Sequence, residues 1–208
     1  MNPIDLSLYL VLDPDLCGGP EGMVRTARVA AENGVTVVQL RAPGWKKKQW
    51  LETARELKAV LAPLGVPLII NDQIDVALAV DADGVHIGQD DLPAVETRRL
   101  IGPDKILGAT AATVAAAQTA EREGADYIGS GAMFPTRTKA GKPVLPMSVL
   151  AQIKQAVQVP VVAIGGITAD NLLTLKITGV DGVAIVSAIM DSADPAAATQ
   201  EILSRWCK

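Results

Sequence analysis

The chain has 208 residues, with 19 Lys and Arg against 23 Asp and Glu, which gives a formal net charge of −4. This acidic balance and an aromatic content of 3% argue against a nucleic-acid-binding protein, which needs a basic face and stacking side chains. Cys17 and Cys207 form no disulfide or zinc pattern, and the absence of a signal peptide or a membrane-length apolar run predicts a cytoplasmic protein with no membrane partner.

Short apolar runs alternate with amphipathic stretches along the whole chain. The predicted strands are 7–13, 35–41, 67–72, 84–88, 105–110, 127–131, 160–166 and 182–187. The predicted helices are 20–33, 46–64, 75–80, 92–101, 114–123, 147–157, 169–177 and 195–206. Nearly continuous apolar strands are typical of parallel strands buried on both faces. Eight strand–helix units therefore predict a single-domain (β/α)8 TIM barrel over residues 1–208. An open doubly wound sheet is the alternative, but no G-x-G-x-x-G follows the first strand.

Polar residues concentrate where the predicted strands end, which is where the active site of such a barrel lies. In chain order these residues are Gln39, Arg41, Asn71, Asp72, His86, Asp91, Thr110, the loop 136–139, Gly165, Gly166 and Ser187. Residues of these types also cap helices, and Asp13, Thr168 and Ser187 could serve only that purpose. The concentration of polar groups at so many strand ends nevertheless indicates an enzyme.

The loop after the sixth strand is the most polar of these segments. Thr136, Arg137, Thr138 and Lys139 follow one another, and the prolines around them restrict the backbone. Hydroxyls give directional hydrogen bonds and lysine gives positive charge, so the loop is predicted to form one wall of an anion site. The alternative is an ordinary polar surface loop.

The other strand ends divide by charge. Gly165, Gly166 and Ser187 have the pattern of a barrel phosphate site, in which glycine allows close approach and a helix N-terminus favours an anion. Asp72 and Asp91 form a carboxylate pair that suits Mg²⁺, an ion that completes its shell with substrate phosphates.

Positive charge is predicted at Arg41 and Lys139. Lys46, Lys47 and Lys48 could add to it. The alternative is that these three lysines only form the solvent-exposed start of a helix. His86 is the only histidine in the chain. A histidine at this position is as consistent with packing at the top of the barrel as with proton transfer. The residues thus predict a magnesium-dependent enzyme that binds two anionic groups. One lies at strands seven and eight, and the other lies near Arg41, Asn71 and Lys139.

Five segments resemble thiamine-phosphate synthase, also called thiamine-phosphate pyrophosphorylase. They are VQLR, IINDQIDVALAVDADGVHIGQDDLP, ADYIGSGAMFPTRTKAGKP, PVVAIGGI and GVAIVSAI. The second and third are specific, whereas the last two are shared with other phosphate-binding barrels. The resemblance covers nearly the whole chain and implies an enzyme that joins hydroxymethylpyrimidine diphosphate to thiazole phosphate. It also implies Mg²⁺ and a dissociative path, in which the diphosphate leaves before the thiazole nitrogen attacks.

The resemblance assigns roles to particular residues. It implies that Arg41, Asn71 and Lys139 bind the diphosphate and that Asp72 and Asp91 hold Mg²⁺. It implies a thiazole-phosphate site formed by Thr136, Thr138, Gly166, Val186 and Ser187. It also implies that Gln39, His86 and, more remotely, Tyr9 line the pyrimidine pocket. Arg41, Lys139 and Thr110 are the residues expected to act in catalysis.

Three positions depart from the family pattern. Pro43 replaces a lysine of the diphosphate site, Gln73 replaces an arginine, and Gly108-Ala109-Thr110 replaces Gly-Val-Ser. We expect Lys46, Lys47 or Lys48 to fold back and restore the lost charge. Two rival functions remain at this point: a thiazole tautomerase on the same barrel, and a non-catalytic sensor of phosphorylated ligands. The sequence does not determine whether the protein forms a homo-oligomer.

Overall fold

The computed structural model describes residues 4–136 and 143–207, and within these ranges the chain forms a closed parallel barrel. Its strands pair in chain order, with β1 also pairing with β8. The strands are β1 (Leu8–Leu12), β2 (Val37–Leu40), β3 (Leu68–Asn71), β4 (Gly84–Ile87), β5 (Ile106–Thr110), β6 (Tyr127–Ser130), β7 (Val161–Ile164) and β8 (Gly182–Ile185). All eight predicted strands are confirmed, and so is the (β/α)8 fold class.

Helices surround the barrel. They are α1 (Pro14–Cys17), α2 (Pro20–Glu32), α3 (Lys47–Leu61), α4 (Ile74–Ala79), α5 (Ala94–Ile101), α6 (Val114–Arg122), α7 (Met147–Ala156), α8 (Ser187–Met190) and α9 (Pro195–Trp206). Two 3₁₀ segments, Ala62–Leu64 and Leu172–Thr178, complete the outer layer. No helix formed by the described ranges is both long enough and apolar enough to cross a bilayer.

Side-chain alternation along the strands separates two apolar layers. In β1, Leu8, Leu10 and Leu12 point outward into the large core between strands and helices. Tyr9 and Val11 point into the barrel instead. Successive strand residues face opposite sides of the sheet. Because both sides are buried here, the strand sequences are continuous apolar runs.

A repeated contact joins the strands in pairs at the N-terminal end of the barrel. The residue before each even-numbered strand accepts a hydrogen bond from the backbone N–H of the first or second residue of the preceding odd-numbered strand. Asp83 binds the N–H of Leu68 at 2.8 Å, and Asp126 binds that of Leu107 at 2.7 Å. Asp181 with Val161 and Thr36 with Leu8 repeat the contact at 2.7 Å and 3.2 Å. These four strand clamps satisfy donors that would otherwise have no partner at the start of a strand.

The structure differs from the sequence prediction mainly in short helices. Pro14–Cys17 forms a separate helix, capped by the Asp13 side chain. The predicted helix 169–177 is a 3₁₀ segment that begins only at Leu172. Ser187, predicted to end the last strand, is the first residue of α8.

Candidate active site

A cavity opens at the C-terminal end of the barrel, with a free volume of about 880 Å³ including its solvent-exposed mouth. One wall is apolar and comes from β1, β7 and β8, through Val11, Val162, Ile164, Ala184 and Val186. Six polar side chains also line the cavity, mainly from β2, β4, β5 and β6: Tyr9, Gln39, Arg41, His86, Thr110 and Tyr127. This combination suits a flat apolar ligand with a few hydrogen-bonding atoms and a negatively charged group.

Five polar side chains from five strands form a connected group beneath this cavity. The Gln39 amide Nε2 lies 2.7 Å from the Tyr9 hydroxyl, which lies 2.8 Å from the Tyr127 hydroxyl. The Tyr127 hydroxyl is 3.0 Å from His86 Nδ1, and His86 Nε2 is 2.9 Å from the Thr110 hydroxyl. Burial raises the pKa of both tyrosines above the ordinary value, so both phenols are neutral at physiological pH.

Two strand glycines provide the space that this polar group occupies. A Cβ atom on Gly108 would lie 2.1 Å from the Tyr127 ring carbon Cζ and 2.5 Å from His86 Nδ1. A Cβ on Gly129 would lie 3.0 Å from His86 Cε1. The missing side chains at these positions therefore allow Tyr127 and His86 to meet inside the barrel.

Arg41 brings positive charge to the mouth of the cavity. Its side chain is 17% exposed, and its Nη1 lies 3.8 Å from Asp13 Oδ2. Asp13 also caps α1, the alternative role that the sequence offered for it, and the ion pair is a second contact of the same carboxylate. The loose ion pair steadies the guanidinium and leaves most of its five donors for other partners.

The two predicted magnesium ligands follow adjacent strands. Asp72 comes directly after β3, has a left-handed backbone with φ of 59°, and accepts a 2.5 Å hydrogen bond from the Asn71 amide. Asp91 lies in the loop after β4 and accepts a 2.7 Å bond from the Gly88 N–H. No group of three or more metal-ligating side chains occurs within the described ranges. Two carboxylates positioned by neighbouring amides nevertheless fit Mg²⁺, which needs only one or two when phosphates supply the rest.

The ends of β7 and β8 lie across the cavity from these carboxylates. Gly165 and Val186 line the cavity together with Thr136. Gly166 has a φ of 66°, and a Cβ there would lie 2.6 Å from the Pro135 carbonyl oxygen. Glycine at 166 is thus required by the neighbouring loop backbone, which is an additional reason for the residue beyond anion access.

Of the three consecutive lysines, Lys47 is the one that reaches the loop after β3. Its ammonium contacts the Gln73 side-chain oxygen and lies 2.6 Å from Asp75 Oδ1. This contact lowers the pKa of Asp75. Lys48 instead lies 3.8 Å from Glu52 on the exposed face of its own helix.

The structure brings most predicted site residues to one end of the barrel. Gln39, Arg41, His86, Thr110, Thr136 and Val186 line one cavity, and Asn71 is paired with His86 in adjacent strands. A second cavity beside the first contains Asp91 and shares Thr110 with it. Thr138 and Lys139, together with Arg137, lie outside the described residues. Tyr127 was not predicted as a site residue, although strand alternation with Gly129 would have placed it inside the barrel.

Comparison with known proteins gives consistent matches. A family model described as thiamine monophosphate synthase matches residues 8–189. A thiamine-phosphate synthase of Laribacter hongkongensis is 50% identical over 200 residues, covering 96% of this chain and 94% of the relative. A thiamine-phosphate synthase of Desulfitobacterium hafniense is 46% identical over 204 residues, covering 98% of both chains.

Solved structures extend this pattern. A thiamine phosphate pyrophosphorylase from Pyrococcus furiosus superimposes with a TM-score of 0.88 at 36% identity, covering 98% of this chain and 96% of that one. A 3-hexulose-6-phosphate synthase superimposes with a TM-score of 0.72 at 19% identity, covering 96% and 99% of the two chains. The second likeness reflects the barrel fold alone.

Proposed function

This chain belongs to the thiamine monophosphate synthase family, and on that premise we propose that it transfers hydroxymethylpyrimidine from its diphosphate to thiazole phosphate. The products are thiamine phosphate and pyrophosphate. The observation that carries the proposal is the convergence of Gln39, Arg41, His86 and Thr110 on one cavity that also has an apolar wall. An aromatic ring fits against the apolar wall, while the polar side chains contact its nitrogen atoms and its charged substituent.

The proposed reaction exchanges one bond for another without requiring a base. The bond between the pyrimidine methylene carbon and the diphosphate oxygen breaks, and the diphosphate leaves with the electron pair. The thiazole nitrogen then donates its lone pair to the methylene carbon. Charge develops mainly on the departing diphosphate, so the protein contributes positive groups, chiefly Arg41 and Lys139, and alignment of the two reactants.

Magnesium is part of this proposal. Asp72 and Asp91 are the residues that would hold the ion, each positioned by the amide groups described above. Bound Mg²⁺ neutralises negative charge on diphosphate oxygens. Asn71, Arg41 and Lys139 would contact the same diphosphate. The thiazole phosphate would be held at the opposite side by Thr136, Thr138, Gly166, Val186 and Ser187.

Lys47 is our candidate for the charge that Pro43 removes from the family pattern. Its ammonium contacts Gln73, the residue that directly follows the proposed metal ligand Asp72. Asp75 balances part of the Lys47 charge at 2.6 Å. A diphosphate held at Asp72 would compete with Asp75 for this lysine.

The direct test is product formation from defined substrates. The protein is mixed with hydroxymethylpyrimidine diphosphate, thiazole phosphate and Mg²⁺, and thiamine phosphate is measured by chromatography, with a parallel sample in chelator. We expect product only in the presence of the metal. Product in chelator would refute the magnesium role, and absence of product under both conditions would refute the synthase assignment.

Matched variants locate the metal. Asp72→Asn and Asp91→Asn are expected to raise the Mg²⁺ concentration needed for half-maximal turnover at least tenfold, the loss of about 1.4 kcal/mol of binding. Asp90→Asn is the control, because Asp90 is the exposed neighbour of Asp91. Equal Mg²⁺ requirements in all three variants would remove the two carboxylates from the proposal.

A further inference from the structure

The polar group beneath the cavity is a chain of hydrogen bonds that ends at the ligand-facing residue Thr110. We infer that this chain runs in one direction, from Gln39 through Tyr9, Tyr127 and His86, so that Thr110 presents its proton to the ligand. Tyr127 is then a positioning residue that acts through His86. The identity of the ligand rests on the proposed function, whereas the direction of the chain does not.

The direction follows from counting donors and acceptors, beginning at Tyr9. Its hydroxyl has two partners within the described chain, the Gln39 amide nitrogen at 2.7 Å and the Tyr127 hydroxyl at 2.8 Å. An amide nitrogen donates and does not accept. The neutral Tyr9 phenol has one proton of its own, and if Tyr127 also donated to Tyr9, that proton would be left without an acceptor. Tyr9 is buried, and a buried unsatisfied donor is costly, so the proton goes to Tyr127.

Tyr127 passes the direction on to the histidine. Its oxygen accepts from Tyr9, and its own proton is buried. Leaving that proton without an acceptor would be costly, so it is donated to His86 Nδ1 at 3.0 Å. A ring nitrogen that accepts carries no proton, and the neutral imidazole therefore has its proton on Nε2. Nε2 lies 2.9 Å from the Thr110 hydroxyl and donates to it.

Thr110 is consequently a donor toward the cavity. Its oxygen already accepts from His86, and its own proton points to another acceptor. The residue lines both the main cavity and the adjoining one that contains Asp91. Under the proposed function, the acceptor is either a diphosphate oxygen or a ring nitrogen of the pyrimidine.

The opposite direction would need the Gln39 amide reversed, with its oxygen toward Tyr9. His86 would then carry its proton on Nδ1, and Thr110 would donate inward and offer only an acceptor to the ligand. Arg41 argues against this arrangement, because it lines the same cavity and carries donors only. Its positive charge favours the amide oxygen of Gln39 on the cavity side and the nitrogen toward Tyr9.

The tautomer of His86 reports the direction, and it can be read without a ligand. His86 is the only histidine in the chain, so a long-range ¹H–¹⁵N spectrum of the full-length protein with ¹⁵N-labelled histidine contains one imidazole. At pH 8 we expect a protonated Nε2 and an unprotonated, hydrogen-bonded Nδ1. A protonated Nδ1, an imidazolium or an exchanging mixture of tautomers would overturn the inference.

Three variants test the order of the links. Tyr127→Phe removes the donor to Nδ1, and the Nδ1 resonance should move to the position of a nitrogen without a hydrogen bond. Tyr9→Phe keeps the Tyr127–His86 contact and should leave the His86 resonances nearly unchanged. Gln39→Glu, once ionised, can only accept and should reverse the tautomer; an unchanged tautomer with ionised Glu would contradict the relay.

Binding measurements identify the acceptor that Thr110 serves. Inorganic pyrophosphate and hydroxymethylpyrimidine are titrated separately into the wild type, Thr110→Val and Thr110→Ser. We expect Thr110→Val to weaken one of the two ligands about tenfold and Thr110→Ser to retain affinity, because serine keeps the hydroxyl. Loss for pyrophosphate would identify a phosphate oxygen, and loss for the pyrimidine would identify a ring nitrogen.

Unchanged binding of both ligands in Thr110→Val would refute the donor role toward the ligand. The tautomer measurement would remain an independent test of the direction of the chain, since it needs no ligand. A protein that makes no thiamine phosphate would refute the proposed function without affecting the direction of the chain.

Discussion

Replacing Gly108 by alanine should disrupt the polar group inside the barrel. The new Cβ would lie 2.1 Å from Tyr127 Cζ, 2.3 Å from its hydroxyl oxygen and 2.5 Å from His86 Nδ1. Ordinary contacts between carbon atoms are about 3.5–4.0 Å, so the Tyr127 ring must withdraw by roughly 1.5 Å. The 3.0 Å bond between Tyr127 and His86 would then be lost.

The cost can be estimated from these displacements. Overpacking a core costs about 1–3 kcal/mol, and one lost hydrogen bond adds about 1 kcal/mol. Gly108→Ala should therefore lower the free energy of unfolding by about 2–4 kcal/mol. For a chain of this size, that corresponds to a fall in Tm on the order of 10 °C.

Calorimetric unfolding of two glycine variants provides the assay and its matched control. Gly129→Ala places a Cβ 3.0 Å from His86 Cε1, a distance that a small ring movement relieves, so its cost should be about 1 kcal/mol or less. The order of stability should be wild type, Gly129→Ala, then Gly108→Ala. A Gly108→Ala protein that melts with the wild type, or above Gly129→Ala, would refute the reasoning.

Three further predictions concern charged residues away from the core. Lys47→Met should lower turnover about tenfold in steady-state assays of product formation, equivalent to about 1.4 kcal/mol. Lys48 lies on the exposed side of the same helix, and an equal loss in Lys48→Met would contradict the proposal that Lys47 supplies the charge missing at Pro43. Asp126→Ala should lower the free energy of unfolding in urea by about 2–4 kcal/mol, because the Leu107 N–H and the Arg98 guanidinium lose their shared carboxylate. The control is Asp104→Ala at the same end of the barrel, whose free energy of unfolding should stay within about 0.5 kcal/mol of the wild type. The Lys105 and Lys58 ammonium groups lower the pKa of Asp81 to about 2, so Asp81 stabilises the fold above its unfolded pKa and loses this effect as the pH falls toward 2. The stability difference between the wild type and Asp81→Asn should therefore shrink between pH 5 and pH 2, and a difference that grows over that range would contradict the assignment.

The strands were predictable because their signal is local. Each is a short apolar run buried on both faces, and all eight runs predicted as strands form strands of the barrel. Short helices were less predictable. Pro14–Cys17 is a single helical turn, and a segment of that length depends on its packing rather than on a periodic pattern.

The site was predicted in outline and not in its connections. Strand ends indicated which residues meet, and Gln39, Arg41, His86 and Thr110 do line one cavity. The contact between Tyr9 and Tyr127 joins residues 118 positions apart, and no local pattern signals such a pair. The three consecutive lysines are likewise equivalent by type, and only the direction of α3 distinguishes Lys47 from its neighbours.

The strand clamps at the N-terminal end divide the barrel into four modules of two strands each. Every clamp joins an odd-numbered strand to the even-numbered strand that follows it, so each lies within one module. A backbone break at the exposed Gly65, between β2 and β3, would leave all four clamps intact. A break between β3 and β4 would instead place Asp83 and Leu68, the two residues of one clamp, on opposite sides of the cut. New termini for a circularly permuted or split form of this barrel therefore belong at the boundaries between modules, at Gly65 and in the connections that contain α5 and α7.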